Sequence, residues 1–165
     1  AGNDTLNGGA GDDFLSPGEG LYNVDGGTEF DTLGFNFATA TTAISVIYTN
    51  SAGTTANGNT ISNIEAVAIE TGNNNDVINV TATAAALITG NFISTGAGND
   101  IISSGSGRDR LLGGDGDDVI NGGDGNDSGF INHTTSNGGS ASAQIAGLFG
   151  GAGNDTLNGG AGDDF

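Results

Sequence analysis

A large aliphatic side chain recurs at intervals of nine through residues 95–127, at Ile102, Leu111 and Ile120, in a background of glycine and aspartate. Read in nines, the segment is TGAGNDIIS, SGSGRDRLL, GGDGDDVIN and GGDGND, and the aliphatic file breaks at Gly129. The spacing predicts a six-residue turn followed by a very short strand in which only the eighth place points inward. One coil of chain then takes two nines, about 18 residues, and successive coils stack their strands into two parallel sheets. The same frame runs through residues 1–33, where Leu6, Leu15, Val24 and Leu33 hold the inward place. From Gly34 to Gly90 the nine-residue clock stops. Ile44, Val46 and Tyr48 alternate there, as do Ile64, Ala66 and Ala68, which is the period of strands. Asn57-Gly58-Asn59 reads as a turn, and residues 82–88 as extended chain. A polar insertion over 128–149 lacks the pattern, which resumes at Gly150 with Asp155 and Leu157. The expected fold is all-β, a right-handed parallel β-roll or β-solenoid. Its parts are repeats at 1–33, a solenoid segment with few or no metal turns at 34–94, core repeats at 95–127, the insertion, and repeats at 150–165.

The polar columns are as regular as the apolar one. Glycine fills the second and fourth places at Gly96 and Gly98, Gly105 and Gly107, Gly114 and Gly116, and Gly123 and Gly125. Alternate glycines let the backbone take positive φ values, so that the turn curls tightly with its carbonyl oxygens pointing one way. Aspartate fills the sixth place at Asp100, Asp109, Asp118 and Asp127. Turns 18 residues apart are stacked neighbours, which sets Asp100 over Asp118 and Asp109 over Asp127. Stacked carboxylates repel by roughly 1 to 4 kcal/mol even at surface dielectric, and a cation between the turns reverses that sign. The oxygen ligands on offer suit calcium, and the absence of cysteine with a single histidine argues against zinc, copper or iron. Outside the core, Asp4, Asp13, Asp31, Asp76, Asp155 and Asp164 hold the same sixth place. Tyr22 replaces it in one turn, Glu29 takes the fourth-place glycine position before Asp31, and Asn74 does so before Asp76.

The pattern GGxGxDxUx, with U a large aliphatic residue, resembles the nonapeptide repeat of the repeats-in-toxin (RTX) proteins, a calcium-binding β-roll signature. The resemblance implies calcium ions held between stacked turns by sixth-place aspartates and turn carbonyls. It also implies a secreted bacterial protein that is unfolded without calcium and folds once exported into it.

Composition narrows the partners. Two arginines stand against 20 acidic residues, for a formal net charge of -18, and 33 of the 165 residues are glycine. Nucleic acid and anionic membrane surfaces are excluded as expected partners, since both require basic patches. No apolar run has the length of a membrane span, so no membrane insertion is expected. Residue 1 falls inside a repeat, which leads us to expect a piece of a longer protein. Residues 152–165 repeat residues 1–14 without a difference, an offset of 151 that points to a larger tandem repeat. Further copies of the same repeat, in tandem or end to end, are therefore the expected partners besides calcium.

Other chemistries fit less well. An EF-hand reading at Asp124 fails at its twelfth place, Thr135, where a bidentate glutamate is required. His133 sits in a polar loop with no cysteine in the chain, and Glu65 and Glu70 are expected to face opposite sides of a strand, so no nucleophile-base or glycosidase pair is legible. Arg108 and Arg110 read as charge partners of the acidic turns, and Asp12, Asp115, Asp117, Asp124 and Asp163 as solubilising charge. The third places, Ala, Ser and Asp, lack the threonine file that an ice-binding solenoid needs. The expected role is a structural calcium-binding module of a large secreted or cell-surface bacterial protein, with no catalysis. The alternative is the non-catalytic C-terminal export and folding part of a protease, lipase or epimerase.

Overall fold

The computed structural model describes residues 2–18, 21–48, 53–54, 60–80, 90–127 and 147–161. Asp164, His133, the Asn57 turn, residues 82–88 and nearly all of the insertion lie outside them. The described chain is all strand and turn, and winds as six coils. The first coil holds β1 (Asp4–Ala10) and β2 (Phe14–Leu15); the second β3 (Tyr22–Thr28), β4 (Thr32–Asn36) and β5 (Ser45–Tyr48). The third holds β6 (Gly53–Thr54), β7 (Thr60–Ser62), β8 (Ala66–Glu70) and β9 (Val77–Val80). The last three pair β10 (Phe92–Ala97) with β11 (Ile101–Ser106), β12 (Arg110–Asp115) with β13 (Val119–Asp124), and β14 (Gly147–Ala152) with β15 (Thr156–Asn158).

Three sheets result, where two were expected. One shared sheet runs the length of the molecule in the order β14-β12-β10-β8-β4-β2. At the N-terminal end it faces β1, β3 and β7, and at the C-terminal end it faces β15, β13, β11, β9 and β5. The second and third coils carry a strand of each, so there the roll is three-sided. Every pairing is parallel except the short β6 against β7.

Register survives the irregular spacing. Phe92 pairs with Arg110 and Ile101 with Val119, 18 residues apart as the nines require. Ala68 meets Phe92 across 24 residues and Arg110 meets Gly147 across 37, so the ladder keeps its phase over both longer spacings. Continuous files of inward side chains follow. Val46, Ile78, Ile102, Ile120 and Leu157 stack in the C-terminal sheet, and Phe35, Ile69, Ile93, Leu111 and Leu148 in the shared one. Ile78, Ile102, Ile69, Ile93 and Leu111 are fully buried, each worth about 1.5 to 3 kcal/mol of apolar burial.

Two expectations about the strands need correction. The regular strands are six residues long, running from the seventh place of one nine to the third of the next, because the first place also turns inward: Thr95 and Ser104 are buried like Ile93 and Ile102. In β8 the fully inward pair is Val67 and Ile69, with Ala68 half-buried, so the strand is present but its alternation is set by Val67 and Ile69. Val67 continues the file of Leu15 and Leu33, while Ile69 carries the file of Phe35 on to Ile93 and Leu111. Tyr22 packs its ring against Phe35 at 5.6 Å, and Phe35 stacks on Phe37, so this turn puts an aromatic where its neighbours put a carboxylate.

Candidate metal centres

The glycine columns do what the turn demands. Gly96, Gly98, Gly105, Gly107, Gly114, Gly116, Gly123 and Gly125 all have φ between 92° and 140°. A Cβ at Gly116 would lie 1.8 Å from the Gly98 carbonyl oxygen, so the turns stack at backbone contact. Each fourth-place N–H bonds the third-place carbonyl of the next coil, as Gly98 to Asp115 at 2.8 Å and Gly107 to Asp124 at 2.9 Å. Glu29 takes this place with φ 84°, a left-handed conformation that a side chain makes costly.

Stacked turns bring the sixth-place carboxylates into three files. Along the edge leading into the C-terminal sheet, Ile44 N–H donates to Asp76 Oδ1 (2.8 Å), Asp76 N–H to Asp100 Oδ1 (2.8 Å), Asp100 N–H to Asp118 Oδ1 (2.9 Å) and Asp118 N–H to Asp155 Oδ1 (3.1 Å). On the return edge Val67 N–H donates to Asn91 Oδ1 (3.0 Å), Asn91 N–H to Asp109 Oδ1 (2.6 Å) and Asp109 N–H to Asp127 Oδ1 (2.8 Å). At the N-terminal end Asp13 N–H donates to Asp31 Oδ1 and Asp31 N–H to Glu65 Oε2, both at 2.9 Å. Asp4 stands apart, because Tyr22 lies opposite and its N–H turns to the Leu21 carbonyl.

One oxygen of each carboxylate is thus committed to the neighbouring coil. The other, Oδ2, is buried without a hydrogen bond in Asp13, Asp31, Asp76, Asp100 and Asp118. A buried carboxylate oxygen with no donor leaves charge uncompensated, at a cost that a cation would remove. Burial accordingly raises the carboxyl pKa of Asp100, Asp109 and Asp118 above the usual carboxylate value. Among the described residues no three acidic or histidine side chains converge on one point. Within each file the carboxylates come one per coil, so a cation between coils would take the rest of its shell from turn carbonyls, the hard-oxygen set that calcium prefers.

Beside each carboxylate lies a niche at the first place. A Cβ on Gly113 would sit 2.1 Å from Asp118 Oδ2, and one on Gly122 2.2 Å from Asp127 Oδ2, so glycine keeps the niche open. Ser104 instead puts a hydroxyl there, donating to Asp109 Oδ2 and lying 2.7 Å from the Gly122 carbonyl. Thr95 reaches the Gly113 carbonyl at 3.0 Å and Thr71 the Thr95 carbonyl at 3.0 Å, so hydroxyls pin one coil to the next where glycine is missing.

A family model for the RTX calcium-binding nonapeptide repeat matches four copies in this chain, over residues 1–20, 91–128 and 148–165. The chain carries RTX repeats. Neither the curated proteins nor the solved structures gave a match. RTX repeats bind calcium in their turns, and the matched segments hold the Asp100–Asp118 and Asp109–Asp127 stacks and the Asp13 and Asp155 turns. The three-sided coils, with Asp31, Glu65 and Asp76, lie outside the matched RTX segments.

Several participants were not picked out from the sequence. Glu65 and Asn91 fill sixth places, and the signal was there: Glu65-Ala66-Val67 and Asn91-Phe92-Ile93 both put a polar residue two before an inward aliphatic, as Asp100-Ile101-Ile102 does. Asp12 and Asp117, expected to be plain surface charge, build a second, exposed ladder at the fifth place. Asp12 Oδ1 accepts from Phe30 N–H, Asn75 Oδ1 from Asn99, Asn99 Oδ1 from Asp117, and Asp117 Oδ1 from Asn154. This ladder runs opposite to the sixth-place one, because its oxygens receive amides from the following coil. Arg110 lies 5.1 Å over the Phe92 ring, a cation–π contact in addition to any service to the acidic turns.

Proposed function

We propose that this chain is a calcium-folded structural module of a large secreted or cell-surface bacterial protein, such as a stalk, surface layer or fibre. The observation that carries the reading is the file of buried carboxylates, Asp76, Asp100 and Asp118, each with one oxygen accepting an amide of the preceding coil and one without a partner. Asp4, Asp13, Asp31, Asp76, Asp100, Asp109, Asp118, Asp127, Asp155 and Asp164, with the carbonyls of the glycine turns, would hold the ions. Bound calcium supplies charge compensation between coils, which makes the stacked roll more stable than the expanded chain. In a compartment poor in calcium the same files repel, so folding would follow export.

The tandem setting rests on the 14 residues repeated at an offset of 151, which favour an array over a single terminal export domain. Small-angle scattering with and without calcium tests the mechanical part. The reading expects an elongated rigid particle in calcium and an expanded coil in chelator, and a profile indifferent to calcium would refute it.

A further inference from the structure

The repeated segment appears twice in the structure, and its two copies use opposite edges. Residues 2–10 and 153–161 are identical in sequence, and Gly9 at φ 97° matches Gly160 at φ 98°. The N-terminal copy, β1, pairs with the coil that follows: Asp4 N–H donates to Leu21, and Leu6 sits beside Val24. The C-terminal copy pairs with the coil that precedes: Thr156 N–H donates to the Asp118 carbonyl, Asp155 Oδ1 accepts Asp118 N–H, and Leu157 sits beside Ile120. In a parallel ladder a strand's sixth-place and seventh-place N–H groups point to opposite neighbours, so the two sets of bonds are compatible on one strand.

We infer that where a second copy follows the first, one strand serves both: the segment is at once the last strand of the C-terminal sheet of one copy and β1 of the next. Superposing the duplicates gives the order β13, shared strand, β3, so the C-terminal sheet of one copy becomes the N-terminal sheet of its successor. The long shared sheet runs straight through, and the sheet facing it is exchanged once per copy, at the three-sided coils. The partner is therefore a further copy of this same chain, joined with no linker and no interface beyond the ordinary coil-to-coil ladder.

The outermost described coils leave apolar inward positions open. Leu157 is 46 % exposed although it continues the file of Ile120, which is 1 % exposed. At the opposite end an open concavity is lined by Leu6 and Leu15, which hold the inward place, with Asn7, Asp13 and Phe14 beside them. At the junction the Asp118 stack would gain what Asp4 lacks here. In Asp155, the twin of Asp4, the carboxylate joins the file Asp76, Asp100, Asp118, whereas Tyr22 faces the other side and ends it. Each copy's main calcium file would thus close on the first aspartate of the next copy.

The inference rests on the calcium-folded reading, and hydrogen exchange separates the two. The chain is compared with a two-copy protein, residues 1–151 followed by 1–165, both in calcium. In the single chain the amides of 155–161 that face away from β13 have no strand to bond and exchange fast. In the two-copy protein the corresponding junction amides are expected to slow by at least about tenfold, toward the rate of Val119–Asp124. Unchanged fast exchange at the junction, with β11 and β13 protected, overturns the continuous junction and leaves the calcium reading intact. Fast exchange everywhere in calcium overturns both. As a second readout, the Thr156 amide, which donates to Asp118 in the single chain, must stay as protected in the two-copy protein as it is there; its loss of protection would also overturn the inference, because one strand would then not serve both neighbours.

Discussion

Asp118 and the residue after it tie Asp100 down at both its backbone groups: the Asp100 N–H donates to Asp118 Oδ1 at 2.9 Å, and the Val119 N–H donates to the Asp100 carbonyl at 2.9 Å. The aspartate is therefore both a structural acceptor and a carrier of charge, and conservative substitution separates these roles. Asp118→Asn keeps an oxygen for the Asp100 amide and removes the charge, so it should raise the calcium needed for folding severalfold. Asp118→Ala also strands the buried Asp100 N–H, which costs a further 1 to 3 kcal/mol or about that. Calcium midpoints and thermal unfolding of the two variants check the order; equal behaviour would mean that the ladder bond carries no weight.

Ser104 tests the hydroxyl staple. Its side chain serves both the Asp109 carboxylate and the Gly122 carbonyl while fully buried. Ser104→Gly recreates the niche found at Gly113 and leaves those acceptors bare. The expected loss is about 1 to 3 kcal/mol, read by urea unfolding at saturating calcium.

Glu29 stands at φ 84° where the regular turns of residues 95–127 use glycine. Glu29→Gly should stabilise the fold, because relief of about 1 to 2 kcal/mol of left-handed strain exceeds the roughly 0.5 to 1 kcal/mol entropic cost of glycine. A lower melting temperature in the variant would show that the Glu29 side chain makes a contribution outweighing its strain.

Acid should partly substitute for calcium. Burial raises the carboxyl pKa of Asp100, Asp109 and Asp118 above the ordinary carboxylate value, so the folded state binds protons more readily than the unfolded one. Their contribution to stability is then fully present below that ordinary value and is lost as pH rises through the higher folded pKa. In chelator, β structure should increase as pH falls from 7 toward 4, while calcium affinity falls over the same window. Circular dichroism against pH, with and without calcium, checks both signs.

The repeating part of this fold was open to reading because a strict period ties each residue type to one place in the coil. Ile102, Leu111 and Ile120 announced the inward file, and Asp100 and Asp118 announced their stacking, since a nine-residue period leaves only one register. The third sheet was not legible, because it depends on where coils of irregular length close, and residues 34–90 carry no period to say so. Glu65 and Asn91 were hidden by chemistry: a search for aspartate passes over a glutamate and an amide that occupy the same place. Ser104 stands at a first place that varies between glycine, serine and threonine along the core repeats, and only its burial beside Asp109 reveals the bond it makes. Asp12 and Asp117 looked like surface charge because they are exposed, and their role depends on a neighbour one coil away.

The central claim is that calcium converts repelling carboxylate files into the cement of the roll. Far-ultraviolet circular dichroism during a calcium titration in a metal-stripped sample, with magnesium as control, tests it most directly. The account predicts a cooperative coil-to-β transition driven by calcium and absent with magnesium at the same concentration. A chain that is fully β-folded in chelator at neutral pH, with a spectrum that calcium leaves unchanged, would contradict it.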